Sequence, residues 1–355
     1  MARSLLPTVL VLCFGACSVP DLRGAPRLAR LRLGLDAGGA TLSVDSIEDL
    51  GQFSAPASVI GRDGTTAALV GGRLLWTFGD TFVTHPNPID GSGLVSATAG
   101  WSSVADPLRL EEFLDDAGDP TQFIPYTAAE ITENRSNFKS GVALWPGAVL
   151  PTTDAGAVVL FQHVLRAFDG GGFAADAIGT AEVVPGDAQA TRDPEFLFQH
   201  PEALFGIGGV TIDGGFAYLY DCEQVQPLNY SCKVARAPLG SVSDRSTYVF
   251  WNGGAWSPDI SEAAWFIDDA SYEMSVEWSP FISRWLAVFS VPLSNDIALR
   301  TADRITGPWS PAVIVPGSRP GLVTSGAGIN YLARQHAELS SSDGRDIVIS
   351  YAHPL

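Results

Sequence analysis

Five β-hairpin patterns recur along this chain, and that recurrence limits the possible folds more than any other feature. Each pattern is an apolar arm, a turn and a second apolar arm. They fall at 61–82, 147–164, 208–223 around Asp213-Gly214-Gly215, 274–290 around Pro280 to Arg284, and 336–353 around Ser342-Asp343-Gly344. The second arms end near residues 80, 162, 220, 289 and 350, in steps of 82, 58, 69 and 61. Further β-rich pieces lie between them, among them CKVARAPL, STYVFWNG and DIALRTAD. Four short strands per unit, repeated five times, predict an all-β, five-bladed β-propeller, with a pair of β-sandwiches as the competing arrangement. The 37 glycines and 24 prolines, with few long runs of helix formers, agree with an all-β chain. Residues 111–119 and 127–134 read as polar excursions of the first blade, one holding a helical turn. Ala40 to Leu50 reads as a strand that closes the last blade.

The first hairpin, GRDGTTAALVGGRLLWTFGDTF, carries the chemistry. Gly71-Gly72 suits a two-residue turn in which both central positions tolerate positive φ. Val70 then opposes Arg73, and the same register places Asp63 opposite Asp80. Directly opposed residues have Cβ atoms roughly 4.5–5.5 Å apart, and like charges there are destabilising. One bulge would spoil the register. Two close carboxylates can hydrolyse a glycosidic bond, one protonated as acid and the other ionised as base or nucleophile, because neighbouring charges resist ionising together. The roles within the pair, and a retaining or inverting course, stay open at this level. The structural alternatives are a turn residue before Gly64 for Asp63 and a strand-end contact for Asp80.

In a propeller the innermost strands line a central channel, and the starts of the first arms converge at one mouth. That places Asp63 with Trp145, the 202–205 stretch, Glu273 and the Gln335-His336 pair. An aromatic platform among acids suits a sugar. Asp63 and Asp80 are therefore the expected catalytic pair. Arg62, Trp145, Glu202, Glu273 and His336 are the expected substrate contacts, with Arg62 able to pair with either Asp. Glu277 is a reserve acid. His163 and His353, at the ends of second arms, are expected to pack or to meet solvent. No zinc spacing, phosphate-binding glycine loop or Ser-His-Asp order stands out, so no metal or other cofactor is expected, and nothing supports a cation in the channel.

The N-terminus reads as an export signal: Arg3, an apolar run from Leu5 to Phe14, then Gly15-Ala16 before Cys17. Phe-Gly-Ala-Cys resembles a bacterial lipobox, so residues 1–16 read as a lipoprotein signal and Cys17 as the lipidated residue. Residues 17–39 then form an anchored linker and 40–355 the propeller. The apolar run is too short to span a bilayer. Cys222 and Cys232, exported to an oxidising space, are an expected disulfide. The net charge of −18 argues against nucleic acid as a partner. A monomer acting on a polysaccharide, touching the membrane only through its lipid, is the expectation.

The GRDGT…GGRLLWTFGDTF segment resembles the start of a bacterial five-bladed propeller family long catalogued as a domain of unknown function. ALWPGAVL, CKVARAPL, MSVEWSPFISRWLAVFS and RTADRITGPWS resemble it too, and the likeness runs over most of 53–351. Members include endo-D-arabinofuranases, which cut the D-arabinan of mycobacterial arabinogalactan and lipoarabinomannan. The resemblance implies a hydrolase of that kind, with the family's proposed catalytic pair falling on Asp63 and Asp80. A carbohydrate-binding propeller without catalysis is the alternative.

Overall fold

The chain closes its own ring. A computed structural model describes residues 24–36, 41–136, 140–152, 155–167, 172–324 and 328–354. The signal, Cys17 and the start of the expected linker lie outside these residues. β1 (Gly24–Leu35) pairs antiparallel with β2 (Leu42–Gln52) on one side and with the chain's last strand, Asp346–Pro354, on the other. The last blade is thus completed by the first strands, with β2 where the Ala40 to Leu50 strand was expected. The propeller boundary moves accordingly, since residues 24–35 are part of the sheet and not linker. The reason is legible: Leu28, Leu31 and Leu33 are fully buried, while Arg30 and Arg32 pair with Glu48 and Asp346 on the exposed side.

Blade one holds β3 (Val59–Arg62), β4 (Thr66–Val70), β5 (Arg73–Val83), β6 (Leu94–Ser103) and β7 (Asp106–Glu112). Helix α1 (Ala128–Ser136) follows. Blade two holds β8 (Ser140–Pro151), β9 (Ala157–Ala167), β10 (Gly172–Val183) and β11 (Thr191–Gln199). Blade three is built on β12 (Gly209–Asp213), β13 (Phe216–Gln226) and β14 (Asn229–Pro238), with β15 (Val249–Trp251), β16 (Trp256–Ser257) and β17 (Trp265–Ala270) outside. Blade four holds β18 (Ser275–Ser279), β19 (Arg284–Ser290), β20 (Ile297–Ala302) and β21 (Val313–Val315). Blade five pairs β22 (Tyr331–His336) with β23, the strand Asp346–Pro354, then β1 and β2. This is the expected five-bladed, all-β propeller.

The innermost strands β4, β8, β12, β18 and β22 neighbour one another around the channel. The core lies between blades. Leu160, Ile178 and Phe198 of blade two pack with Phe205, Leu219 and Phe250 of blade three. Leu286 and Leu299 of blade four pack with Leu31, Ile347 and Ile349 of blade five. Each such side chain stabilises by about 1.5–3 kcal/mol when fully buried. Cys222 and Cys232 oppose each other in β13 and β14 and form the expected disulfide, with an S–S distance of 2.10 Å. Among the described residues no helix is long and apolar enough to cross a membrane.

Helix α1 starts at a capping box. The Thr127 N–H donates to Glu130 Oε2 (2.7 Å), and the Glu130 N–H donates to Thr127 Oγ1 (3.3 Å). The helix packs on β8. It lies in the second of the two polar excursions, so the helical turn expected in one of them falls there.

Candidate active site

Asp63 sits where the first ladder breaks. Arg62 faces Thr81 and Thr66 faces Thr77, so the register is the same on both sides of the break, as the Gly71-Gly72 turn predicts. In between, the Asp63 N–H donates to the Asp80 carbonyl (3.1 Å) and the Asp63 carbonyl accepts from Gly79 (2.8 Å). One residue thus meets two, a bulge that does not propagate. The Asp80 N–H, left without a carbonyl, donates instead to Asp63 Oδ1 at 3.1 Å. The bulge therefore pins the Asp63 side chain. Two glycines permit it. A Cβ at Gly79 would lie 3.0 Å from Asp63 Oδ1, and Gly64 has φ +60° with its Cβ position 3.3 Å from the Gly79 nitrogen.

Two other blades complete the environment of the pair. The Tyr331 hydroxyl, from blade five, donates to Asp63 Oδ2 at 3.4 Å. Arg166, from blade two, donates to Asp80 Oδ2 at 3.3 Å. Asp80 Oδ1 is buried and has no hydrogen-bond partner among the described residues. Burial first, and then the charge of Asp80, push the Asp63 carboxyl up to about 7. Glu273 adds to the rise, while the Asp80 N–H and Tyr331 oppose it. Burial also holds the phenols of Tyr126 and Tyr331 well above their ordinary range, so both stand as neutral hydroxyls beside the acids.

Trp145 and Glu273 are where they were expected. Trp145, half-buried on β8, lies with Cδ1 3.7 Å from the Cβ position of Gly79. Its ring meets the edge of exposed Phe173 at 4.9 Å, and its indole Nε1 is buried without a partner among the described residues. Glu273 precedes β18, accepts from Gln162 Nε2 (3.3 Å) and pairs with Arg334 Nη2 (2.5 Å). Arg334 also donates to the Gly147 carbonyl (2.8 Å), and the Tyr272 hydroxyl donates to Gln162 Oε1 (3.0 Å).

Three expected substrate contacts lie elsewhere. Arg62 is buried against Glu112 at 3.0 Å and over the Phe78 ring at 4.6 Å, so its charge is committed away from both Asp residues. Glu202 is exposed on the turn before β12 and pairs with Arg245 at 3.6 Å, because the chain reaches the channel only at Gly209. His336 ends its strand instead of starting it. Its ring nitrogens meet Glu338 (3.2 Å) and Ser350 (2.8 Å), and Tyr331 takes the mouth position. Of the two expectations for His163 and His353, packing or solvent contact, the structure shows packing: both are buried, and both are hydrogen-bonded. Sequence reading missed Arg166, Tyr331, Arg334 and Tyr126. The alternating YLARQH stretch before His336 was the available sign that the fifth arm begins earlier.

The mouth therefore presents one acid that holds its proton to about neutral pH, a second carboxylate beside an arginine, and an indole with a free donor. Among the described residues no three acidic, histidine or cysteine side chains converge as a metal site would require.

The family model described as "Domain of unknown function (DUF4185)" matches residues 178–342. No curated protein sequence matches the chain significantly. Among solved structures, a "putative hydrolase" from Bacteroides ovatus shares 14% identity at a TM-score of 0.61, covering 90% of this chain and 93% of that one. A family 117 glycoside hydrolase of the marine bacterium Zobellia galactanivorans shares 10% identity at a TM-score of 0.49, covering 94% and 91%. An exo-β-1,3-galactanase of Phanerochaete chrysosporium shares 15% identity at 0.46, covering 91% and 64%. At these identities the likeness is one of fold: the chain is a five-bladed propeller, and its residues 178–342 match that family model.

Proposed function

We propose that the protein is a glycoside hydrolase acting within a furanose polysaccharide, with D-arabinan of bacterial envelopes as the first substrate to test. The observation that carries this reading is the opposed Asp63 and Asp80, whose surroundings differ. Asp63 is buried against another carboxylate and keeps its proton up to about pH 7, which suits a general acid that protonates the leaving oxygen. Asp80 accepts from Arg166 and keeps Oδ1 without a protein partner, which suits the ionised member, as base toward water or as nucleophile at the anomeric carbon. Trp145 offers a ring face for stacking and an N–H for a sugar hydroxyl. The arabinan assignment rests on the resemblance of the Asp-Gly…Phe-Gly-Asp-Thr element.

The test is release of oligosaccharides from arabinogalactan by the soluble domain, compared with folded Asp63→Asn and Asp80→Asn variants. Product from the parent and none from either variant is the expected outcome. Unchanged release from either variant removes that Asp from the chemistry. Sugar binding without product, retained in the double variant, makes the protein a binding propeller instead. The same proposal places the enzyme outside the cytoplasm, anchored through Cys17. Labelling with a radioactive fatty acid, lost on Cys17→Ala, checks that part.

A further inference from the structure

Arg334 divides the channel. Its guanidinium is held by Glu273 and the Gly147 carbonyl, on the side of the acid pair. Beyond it the innermost strands of all five blades enclose a second cavity of about 290 Å³. The wall from blades two and three is apolar, with Val149, Val210 and Ile212. The wall from blades four and five is rich in acceptors, with Glu277, Gln335 and Glu338. Gln335 is only 8% exposed, and its Oε1 is buried without a partner among the described residues. The charged groups around the cavity are Glu277, Glu338, Arg334 and His336. The last is bonded to Glu338 and Ser350. Burial, then the charge of Glu338, push the Glu277 carboxyl up to about 8.

We infer that this second cavity binds a primary ammonium group carried on a short alkyl stem. An ammonium has three N–H donors and no acceptor, and the polar wall offers oxygen acceptors on three side chains: the acids Glu277 and Glu338 and the unpartnered amide oxygen of Gln335. The opposite wall takes the methylenes. A divalent metal fits less well, since no three metal-ligating side chains converge among the described residues. This inference uses no residue of the acid pair and stands or falls apart from the glycosidase reading.

Calorimetric titration of the full chain with n-butylammonium chloride tests it, with 1-butanol as the uncharged counterpart. The expected result is one site, with butylammonium at least about tenfold tighter than butanol, the equivalent of one charge-assisted contact. Glu277→Gln and Gln335→Leu should each weaken binding about tenfold, whereas Gln335→Glu, which adds a charge at the same place, should tighten it. Asp63→Asn should leave it unchanged. Equal affinity for butanol overturns the inference, as does loss of binding in Asp63→Asn with retention in Glu277→Gln. Displacement of butylammonium by equimolar potassium chloride would assign the cavity to an inorganic cation and overturn the ammonium. Thermal melts establish that each variant is folded. If Glu277→Gln fails to fold, the opposite shifts expected for the two Gln335 variants still decide the matter.

Discussion

Two acid clusters flank the channel mouth, built from the same kinds of residue and left in opposite states. In one, Glu130 accepts from Arg192 through both oxygens (2.7 and 2.9 Å), from the Thr127 N–H (2.7 Å) and from His163 Nε2 (3.1 Å), while His163 Nδ1 meets Asp176 at 2.5 Å. Burial pushes the Glu130 carboxyl up, but the bonds from His163, Arg192 and Thr127 outweigh it and hold it down at about 2. Burial likewise lowers His163, and its bonds to Asp176 and Glu130 carry it up to about 9. In the other cluster, Asp63 receives one backbone N–H and one phenol at 3.4 Å, and there burial wins. The number of donors decides which force prevails. The satisfied cluster ties helix α1 to blade two. The under-satisfied one keeps a proton to give.

The largest expected effect lies in the second cluster. Asp80→Asn and Asp63→Asn should each lower glycan release at least ~1,000-fold, about 4 kcal/mol of transition-state stabilisation, without lowering the melting temperature. The mirror experiment is Glu130→Ala. It leaves Arg192 buried without its anion and His163 with Asp176 alone, which costs about 3–5 kcal/mol of stability, and the folded fraction should keep its turnover. If Glu130→Ala destroys turnover while the fold survives, the two clusters are not separate in role. A smaller effect is expected at Arg166, which touches Asp80 but reaches no catalytic hydrogen itself. Arg166→Met should lower kcat roughly 10–100-fold, the cost of one positioning contact near 1.5–3 kcal/mol. A rise in KM alone would make Arg166 a substrate contact and no more.

How much of this was legible in the sequence varies with the range of the interaction. The opposition of Asp63 and Asp80 follows from local pairing: a Gly-Gly turn fixes the register, and every paired position from Val70 and Arg73 to Thr66 and Thr77 obeys it. The bulge at Gly79 was not foreseen, yet Arg62 opposite Thr81 shows that the register resumes beyond it. Arg166 and Tyr331 could not be found that way, since they reach the pair from blades two and five, 86 and 268 residues distant in sequence. Glu202 and His336 were misplaced because the arms were counted from apolar runs. The chain enters blade three through an exposed turn, and blade five ends its strand in a short helical turn at Ala337–Leu339. The disulfide was legible from the expected export, which puts Cys222 and Cys232 in an oxidising space; their direct opposition in β13 and β14 was not.

The smallest effect is also the one that separates the clusters by sign. The Asp63 carboxyl moves from an ordinary 3.8 to about 7 on folding, so between those values the folded chain holds a proton that the unfolded chain has lost. Stability contributed at this site must fall as pH rises from about 4 to 7, and the deficit persists above 7. Asp63→Asn removes the titration. It should match the parent near pH 3 and exceed it by about 1–2 kcal/mol at pH 8, after allowance for partial exposure of the site and coupling to Asp80. Glu130 behaves in the opposite sense: its contribution is present above 4.5 and is lost as pH falls through about 2. His163 contributes fully below 6.5 and loses its contribution as pH rises through about 9. Between about pH 4.5 and 6.5 both partners of the tying cluster contribute in full, while Asp63 is still largely protonated. Denaturant melts of the parent, Asp63→Asn and Glu130→Gln across pH 3–9 read these slopes directly. If Asp63→Asn is less stable than the parent at pH 8, the carboxylate is stabilised by its surroundings, and the assignment of Asp63 as the acid fails with it.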